Sequence, residues 1–193
     1  MSSERIKAFS DGVLAIIITI MVLELRPPHG ARLSDLAPVG PTFLAYVLSF
    51  LYVAIYWNNH HHLFYAVEKV NGAVLWANTH LLFWLSLLPF ASAWASDTEF
   101  ARIPVALYGC VLLASGLAYS VLVAALLRAQ EGESLLHRAI GGDFKGKISL
   151  LFYVFGIAGA FVAPWIGALF YVGVATIWLV PDRRIEKRLK GET

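Results

Sequence analysis

Cysteine and charge are both scarce in this sequence, and each scarcity excludes classes of protein. Cys110 is the only cysteine, which excludes disulfide scaffolds, paired-cysteine redox sites and cysteine-based zinc sites within one chain. Charged residues make up only 15% of the 193 residues, and the net charge is +2. The basic residues lie between or after apolar runs and form no continuous basic face, so we expect no nucleic-acid partner.

Apolar residues, by contrast, make up 59% of the chain, well above the share in globular proteins. A hydrocarbon core about 30 Å thick is crossed by roughly 20 residues of helix. As one helix, the last apolar stretch, 148–180, would be roughly 50 Å long, too long for one span, and Ala163-Pro164 divides it. We therefore predict an all-α polytopic membrane protein, in which residues 1–193 form a single transmembrane domain with six helices, at about 6–25, 42–63, 73–94, 103–127, 148–163 and 165–180.

The distribution of Lys and Arg predicts the orientation of these spans, because cytoplasmic loops are enriched in both residues. With six spans and a cytoplasmic N-terminus, 12 of the 15 basic residues lie inside. Only Arg26, Arg32 and Arg102 lie outside. A five-span arrangement would leave 7 inside and 8 outside. Six spans with both termini cytoplasmic is therefore the prediction, and the first run, which lacks a small-residue cleavage site, is expected to be retained.

Two polar residues, Ser10 and Asp11, stand near the start of the first apolar run. A carboxylate inside an apolar helix is costly unless it is paired, which makes Asp11 a candidate site residue. The alternative is that Ser10 and Asp11 cap a helix that begins there. Both interpretations are compatible with position alone.

Helical phase separates the side chains of this run into faces, because each residue advances about 100° around the axis. Ile20 and Leu23 lie within about 40° of Ile16, and Thr19 lies about 60° away. Asp11 falls about 140° from that face, which suggests that it points toward its own bundle. Aliphatic residues at this spacing usually face lipid or a packed core, and a threonine hydroxyl often bonds to the carbonyl four residues earlier, so the phase alone assigns no function.

Three consecutive histidines follow the second apolar run, within Asn58-Asn59-His60-His61-His62. Adjacent helical residues splay by about 100°, so the three imidazoles cannot converge on one ion from a regular helix. We therefore predict no metal site. In the six-span arrangement, the start of the first helix, the end of the second and the start of the third all lie on the cytoplasmic side. Seven polar residues can meet there: Arg5, Ser10, Asp11, His60, His61, Asn78 and His80.

Arg5, Phe9, Ser10 and Asp11 together form an Arg-x-x-x-Phe-Ser-Asp motif. With this motif the chain resembles the bacterial branch of the transmembrane protein 175 potassium channels, whose first helix carries the same pattern. Further similarities are Trp57-x-x-His60-His61 in the second span, and Asn78 with Leu88-Pro89-Phe90 in the third. The resemblance covers the six-span layout of nearly the whole chain, but its specificity rests mainly on the first three helices.

The resemblance implies a homotetramer in which the first helices line a central pore. Its constriction would be made by Ile16, Ile20 and Leu23, with Thr19 as a hydroxyl layer linked to potassium preference. A ring of aliphatic side chains can gate by dewetting, and oxygen dipoles favour a partly dehydrated cation. The chain has no Thr-Val-Gly-Tyr-Gly filter. The resemblance also implies that a network fixes the pore helix, and its members are Arg5, Phe9, Ser10, Asp11, Trp57, His60, His61 and Asn78.

The predicted function is therefore passive conduction of potassium and other monovalent cations across the lipid bilayer of the cell membrane, without a cofactor. The alternative is a proton- or cation-coupled secondary transporter that uses Asp11 and the histidines as a relay, for which Pro89 and Pro164 are the only hints of broken helices. A membrane enzyme would need converging catalytic groups, and only the histidine run comes close. We predict that the chain is not an enzyme.

The first testable prediction is that both termini are cytoplasmic. Single cysteines placed at either terminus of a Cys110→Ser chain should be modified by a membrane-impermeant maleimide only after the cells are opened. A cysteine in the predicted outer loop, at Arg32, is the control and should react in intact cells. Labelling of the C-terminal cysteine in intact cells would exclude the six-span arrangement.

Overall fold

The structure is a computed structural model that describes residues 3–65, 67, 70–130 and 144–179. All regular elements in these ranges are helical, which confirms the all-α prediction. A short 3-10 helix, Leu33–Val39, precedes the second α-helix. The α-helices are α1 (Ser3–Leu23), α2 (Gly40–Tyr65), α3 (Gly72–Leu85), α4 (Leu88–Asp97), α5 (Arg102–Ala129), α6 (Phe144–Val162) and α7 (Pro164–Leu179).

Among the described residues, five helical segments are long and apolar enough to cross a membrane: Glu4–Leu23, Leu33–Tyr65, Gly72–Asp97, Arg102–Ala129 and Phe144–Val162. The sixth apolar helix, α7, is shorter, with 16 residues. The chain turns at Ala163, at the expected division of the last apolar stretch. Two parts of the sequence-based prediction lie outside the described residues. One is residue 180 of the predicted sixth span. The other is a set of basic residues used to predict the orientation: Lys69, Arg138, Arg183, Arg184, Lys187, Arg188 and Lys190.

The third span is divided, whereas the sequence analysis treated 73–94 as continuous. It consists of α3 and α4, separated at Ser86 and Leu87. Pro89 stands in the first turn of α4, where its missing N–H and fixed φ are tolerated, while further inside a helix its ring would clash with the carbonyl four residues earlier. The backbone stays bonded across the division, since Leu87 N–H donates to the Trp84 carbonyl at 3.2 Å.

The centre of the bundle is α5, whose Leu112, Ala118 and Leu122 side chains are fully buried. It packs against α3 and α4 and also against α6 and α7. Helix α1, in contrast, packs against α2, α3 and α4. The first helix therefore lies at one side of the bundle, and only part of its circumference is covered by its own chain.

Helices α6 and α7 form a hairpin whose close approach depends on glycine. A Cβ at Gly167 would lie 2.8 Å from the Gly156 carbonyl oxygen and 3.0 Å from the Cβ of Ala160. A Cβ at Gly156 would overlap the ring of Tyr171. Small residues at such positions let helix backbones approach closely in a membrane, where van der Waals packing replaces the hydrophobic effect.

We predict that Gly167→Ala destabilises the fold by about 1–3 kcal/mol, because the added methyl group must push against a backbone carbonyl. Gly173→Ala in the same helix is the matched control, since the nearest atom to its Cβ is 3.8 Å away. Thermal unfolding of the purified protein in detergent measures both. Equal melting temperatures for the two variants would show that the hairpin is not packed as closely as described.

Candidate functional site

Helix α1 has one face buried in its own chain and another left uncovered. The buried face repeats every three or four residues and contains Ile6, Ser10, Leu14, Ile17 and Met21. The uncovered face contains Ile16, Ile20 and Leu23, which are 60%, 44% and 73% exposed. Because α1 begins at Ser3, the alternative that Ser10 and Asp11 cap the helix is wrong.

Asn78 of α3 is the centre of a buried hydrogen-bond network, which we call the Asn78 network, formed with Ser10 and His60. Its Nδ2 donates to Oγ of Ser10 at 3.0 Å, and its Oδ1 accepts from Nε2 of His60 at 2.7 Å. All three side chains are buried. The His60 ring also packs against Phe64, with ring centroids 4.5 Å apart. These contacts join α1, α2 and α3 at one depth.

A second polar contact joins α1 to α2 at the surface of the subunit. Nε1 of Trp57 donates to Oδ1 of Asp11 at 2.9 Å, and both residues are exposed. The ring of His61 lies 6.0 Å from that of Trp57. Asp11 therefore contacts a neighbouring helix of its own bundle, but at the surface; the residue buried in the bundle is its neighbour, Ser10, about 100° around the helix.

Three residues that the sequence analysis placed beside Ser10, His60 and Asn78 lie apart from the Asn78 network. Arg5 and Phe9 are exposed and make no hydrogen bond or ion pair with the residues that the structure describes. They lie within about 20° of Ile16 around the helix, so they belong to the uncovered face. His80 accepts a hydrogen bond from Nε1 of Trp84, one turn along the same helix, at 2.9 Å. Within one chain, the network is therefore smaller than predicted.

Thr19 borders the uncovered face, and its hydroxyl is already engaged as a donor. Its Oγ1 donates to the Ala15 carbonyl at 2.9 Å, the bond that the sequence analysis named as the alternative role of this residue. A hydroxyl oxygen has two lone pairs besides its donor hydrogen. With the hydrogen held by the helix, the oxygen of Thr19 presents acceptor lone pairs outward.

A second polar cluster, which the sequence analysis missed, joins α2, α5 and α7. The hydroxyls of Ser49 and Tyr108 are 3.0 Å apart, and the Tyr52 hydroxyl donates to the Tyr171 carbonyl at 2.7 Å. The Tyr171 hydroxyl donates to the Val105 carbonyl at 3.2 Å. Tyrosines in membrane proteins usually concentrate at the interfaces, so the position of Tyr52 and Tyr171 in the middle of apolar runs was the available signal.

No group of three His, Cys, Asp or Glu side chains is placed to hold a metal ion within 3–65, 67, 70–130 and 144–179. The fold and the polar contacts of α1 therefore define a polytopic helical membrane protein whose first helix is fixed from one side and uncovered on the other.

Comparison with known proteins identifies the family. Residues 5–89 match the family described as endosomal/lysosomal potassium channel TMEM175. The chain is 57% identical to a potassium channel of Chryseobacterium sp. over 98% of its own length and 99% of that protein. It is 30% identical to a potassium channel of Chamaesiphon minutus, with 88% of this chain and 91% of the relative covered. The chain belongs to the TMEM175 family, whose members are channels and not enzymes.

The fold agrees with this assignment. The crystal structure of a lysosomal potassium-selective channel TMEM175 homolog from Chamaesiphon minutus superposes with a TM-score of 0.76 at 26% identity, covering 94% of this chain and 97% of that one. Human TMEM175, named an endosomal/lysosomal proton channel, is 36% identical over 54% of this chain but only 23% of its own length. The matched family region, 5–89, contains every residue of the Asn78 network.

We predict that Asn78→Leu strongly destabilises the chain, because Ser10 and His60 would both lose a buried partner. Each unsatisfied buried polar group costs about 1–3 kcal/mol. Asn58→Leu is the matched control, since Asn58 is exposed on α2 and its side chain makes no hydrogen bond with the described residues. Melting temperature in detergent measures both variants. If Asn78→Leu melts as the control does, the network does not hold α1.

Proposed function

We propose that this chain is one subunit of a homotetrameric, potassium-permeable cation channel in the cell membrane, with both termini cytoplasmic and no cofactor. One observation carries the proposal: the uncovered face of α1 contains Ile16, Ile20 and Leu23, while the opposite face is buried in the subunit. The potassium channels of Chryseobacterium and Chamaesiphon support the same conclusion, because they are similar over nearly the whole chain.

The uncovered aliphatic face supplies the constriction in this proposal. Four copies of α1 around one axis would bring four Ile16 side chains together, with Ile20 and Leu23 forming further layers toward the outer end. An aliphatic ring is too apolar to hold a continuous column of water when it is narrow, so it can close the pore without a moving plug. Widening or wetting of this ring would then open it.

Thr19 supplies an oxygen layer between these aliphatic rings. Because its hydrogen is donated to the Ala15 carbonyl, its oxygen can act only as an acceptor toward the pore. Such an oxygen favours a cation over an anion and can replace part of the hydration shell of a potassium ion. The pore then selects without a carbonyl-lined filter.

A tetramer is the natural assembly for this subunit. The motif of α1 occurs once per chain, so a ring of pore helices requires several copies. Gly12 lies beside the uncovered face, and the space where its Cβ would stand is empty in the single subunit. A neighbouring helix can therefore approach α1 closely at this level.

The contacts of Asn78 and of Asp11 act as supports in this proposal and not as conducting groups. They hold α1 against α2 and α3 from the side away from Ile16. A membrane helix fixed in rotation keeps the same residues on the pore axis. The alternative of a coupled transporter gains no support from the division of the third span, since hydrogen bonds from Leu87 N–H to the Trp84 carbonyl and from Ala91 N–H to the Leu87 carbonyl continue the backbone bonding across it.

We predict that Ile16→Asn raises cation conductance severalfold and weakens the preference for potassium over sodium, because an amide hydrates the narrowest ring. Ile17→Asn is the matched control: Ile17 is 2% exposed, on the buried face, so the change should lower expression or stability and not alter the current of surviving channels. Planar-bilayer recordings under a potassium against sodium gradient give conductance and reversal potential together.

Thr19→Val serves as a further variant in the same recordings, because it removes an oxygen but preserves volume. It should shift the reversal potential toward lower potassium preference and leave conduction intact. The assignment of the pore face fails if a well-assembled Ile16→Asn protein conducts as the parent does while Ile17→Asn changes both conductance and selectivity.

A further inference from the structure

A small cavity lies between the end of α1, the start of α2 and the end of α4. Its volume is about 10 Å³, and a single buried water needs roughly 10–15 Å³, so it has room for about one group of that size. Among the described residues that line it, none is basic. Five of them carry side-chain oxygens: Glu24, Thr42, Tyr46, Ser92 and Ser96.

Three of these side chains are not committed to partners within the chain. The Glu24 carboxylate and the hydroxyls of Thr42 and Tyr46 make no hydrogen bond or ion pair with the residues that the structure describes. Thr42 and Tyr46 are half-buried, while Glu24 is exposed, so a ligand can reach the cavity from water at this end of the bundle. Three polar groups around one small space are therefore available to an external ligand.

The two serines add oxygens that can only accept. Ser92 and Ser96 are 6% and 5% exposed. Their hydroxyls donate to the Leu88 carbonyl at 2.8 Å and to the Ala93 carbonyl at 3.0 Å. A hydroxyl has one hydrogen and two lone pairs, so only lone pairs remain for the cavity. Together with the carboxylate, these oxygens favour a positively charged occupant.

The types of ligand atom indicate the class of cation. Carboxylate and hydroxyl oxygens are hard ligands, and no imidazole or thiolate stands in the described lining, which argues against transition metals. Ca²⁺ usually takes about 6–8 oxygens from several carboxylates, whereas this cavity offers a single carboxylate. Mg²⁺ gives up its water reluctantly, and the cavity has no room for a hydrated ion. An alkali metal ion needs one balancing charge, and potassium is close in size to a water molecule.

We propose that this cavity binds one alkali metal ion, with potassium as the ion of matching size, through the Glu24 carboxylate and the four hydroxyl groups of the lining. Glu24 directly follows Leu23, the last aliphatic residue of the uncovered face. The site therefore stands beside the outer end of the proposed pore and not in it. A role in raising the concentration of cations at the pore mouth rests on the proposed function, whereas the binding itself does not.

The test is thermal unfolding of the purified full chain in detergent, as potassium chloride replaces N-methyl-D-glucamine chloride at constant ionic strength. The organic cation is too large for the cavity, and a ligand of the folded state raises the melting temperature with its concentration. The melting temperature of the parent should rise with potassium and then level off, which gives an apparent Kd. Equal melting temperatures at every ratio of the two salts would show that the cavity holds only water, and would overturn the proposal.

Two variants locate the ion. Glu24→Gln removes the charge but preserves size, and it should weaken potassium binding on the order of tenfold. Glu99→Gln is the matched control, because the same change is made at an exposed carboxylate that follows α4 and does not line the cavity. Thr42→Val should weaken binding severalfold, with Thr176→Val, exposed on α7, as its control. Both control variants should bind as the parent does.

An unchanged apparent Kd in Glu24→Gln contradicts the proposal, and Thr42→Val decides the matter in the same way if Glu24→Gln fails to fold. The proposal also fails if Thr19→Val abolishes the effect of potassium while Glu24→Gln retains it, because the ion would then lie in the pore. The readout is independent of ion flux. A chain that is stabilised by potassium but carries no current in planar bilayers would contradict the proposed channel function and leave this site standing.

Discussion

This structure depends on one constraint: polar side chains that are buried away from water must be paired with each other. In a bilayer, each buried donor and acceptor must find its partner in the protein. Asn78 meets this requirement for two other helices at once, because it donates to Ser10 and accepts from His60. A rotation of α1 by one residue would withdraw Ser10 and leave the amide of Asn78 without an acceptor. The rotational setting of the first helix is thus fixed by hydrogen bonds more sharply than by aliphatic packing, which tolerates many settings.

The remainder of the bundle provides a rigid support behind that contact. Helix α5 is covered on several sides, and the tyrosine cluster of Tyr52, Tyr108 and Tyr171 ties it to α2 and α7. The division between α3 and α4 lets one span change direction while its backbone remains bonded. Helix α5 therefore stands between the helices that hold α1 and the hairpin of α6 and α7.

Periodicity predicted the faces of α1 well, because a single apolar helix has only one rotational variable. Ile16 and Ile17 are adjacent and chemically identical, and 100° per residue places them on different faces, but the phase alone did not say which face would be buried; in the structure it is that of Ile17. Partners across helices were harder to predict. Topology placed Asn78 and His60 near Ser10, but it also placed Arg5 there, since depth in the membrane carries no information about rotation around the axis.

The division of the third span and the tyrosine cluster were not predicted, for different physical reasons. Pro89 was visible in the sequence, but a proline in a membrane helix can either kink the helix or begin a new one, and neighbouring helices decide between these outcomes. Tyr108 and Tyr171 are 63 residues apart, and nothing local in the sequence indicates that their helices meet. Pairings at such separation depend on the packing of α5, α6 and α7, which is set by glycines whose role appears only in three dimensions.

The Asn78 network lies within one chain, because Ser10, His60 and Asn78 belong to α1, α2 and α3 of the same subunit. In the proposed tetramer, the rotation of α1 would therefore be set by its own subunit and not by its neighbours. Association would then dock preorganised surfaces, and little side-chain or backbone entropy would remain to be lost.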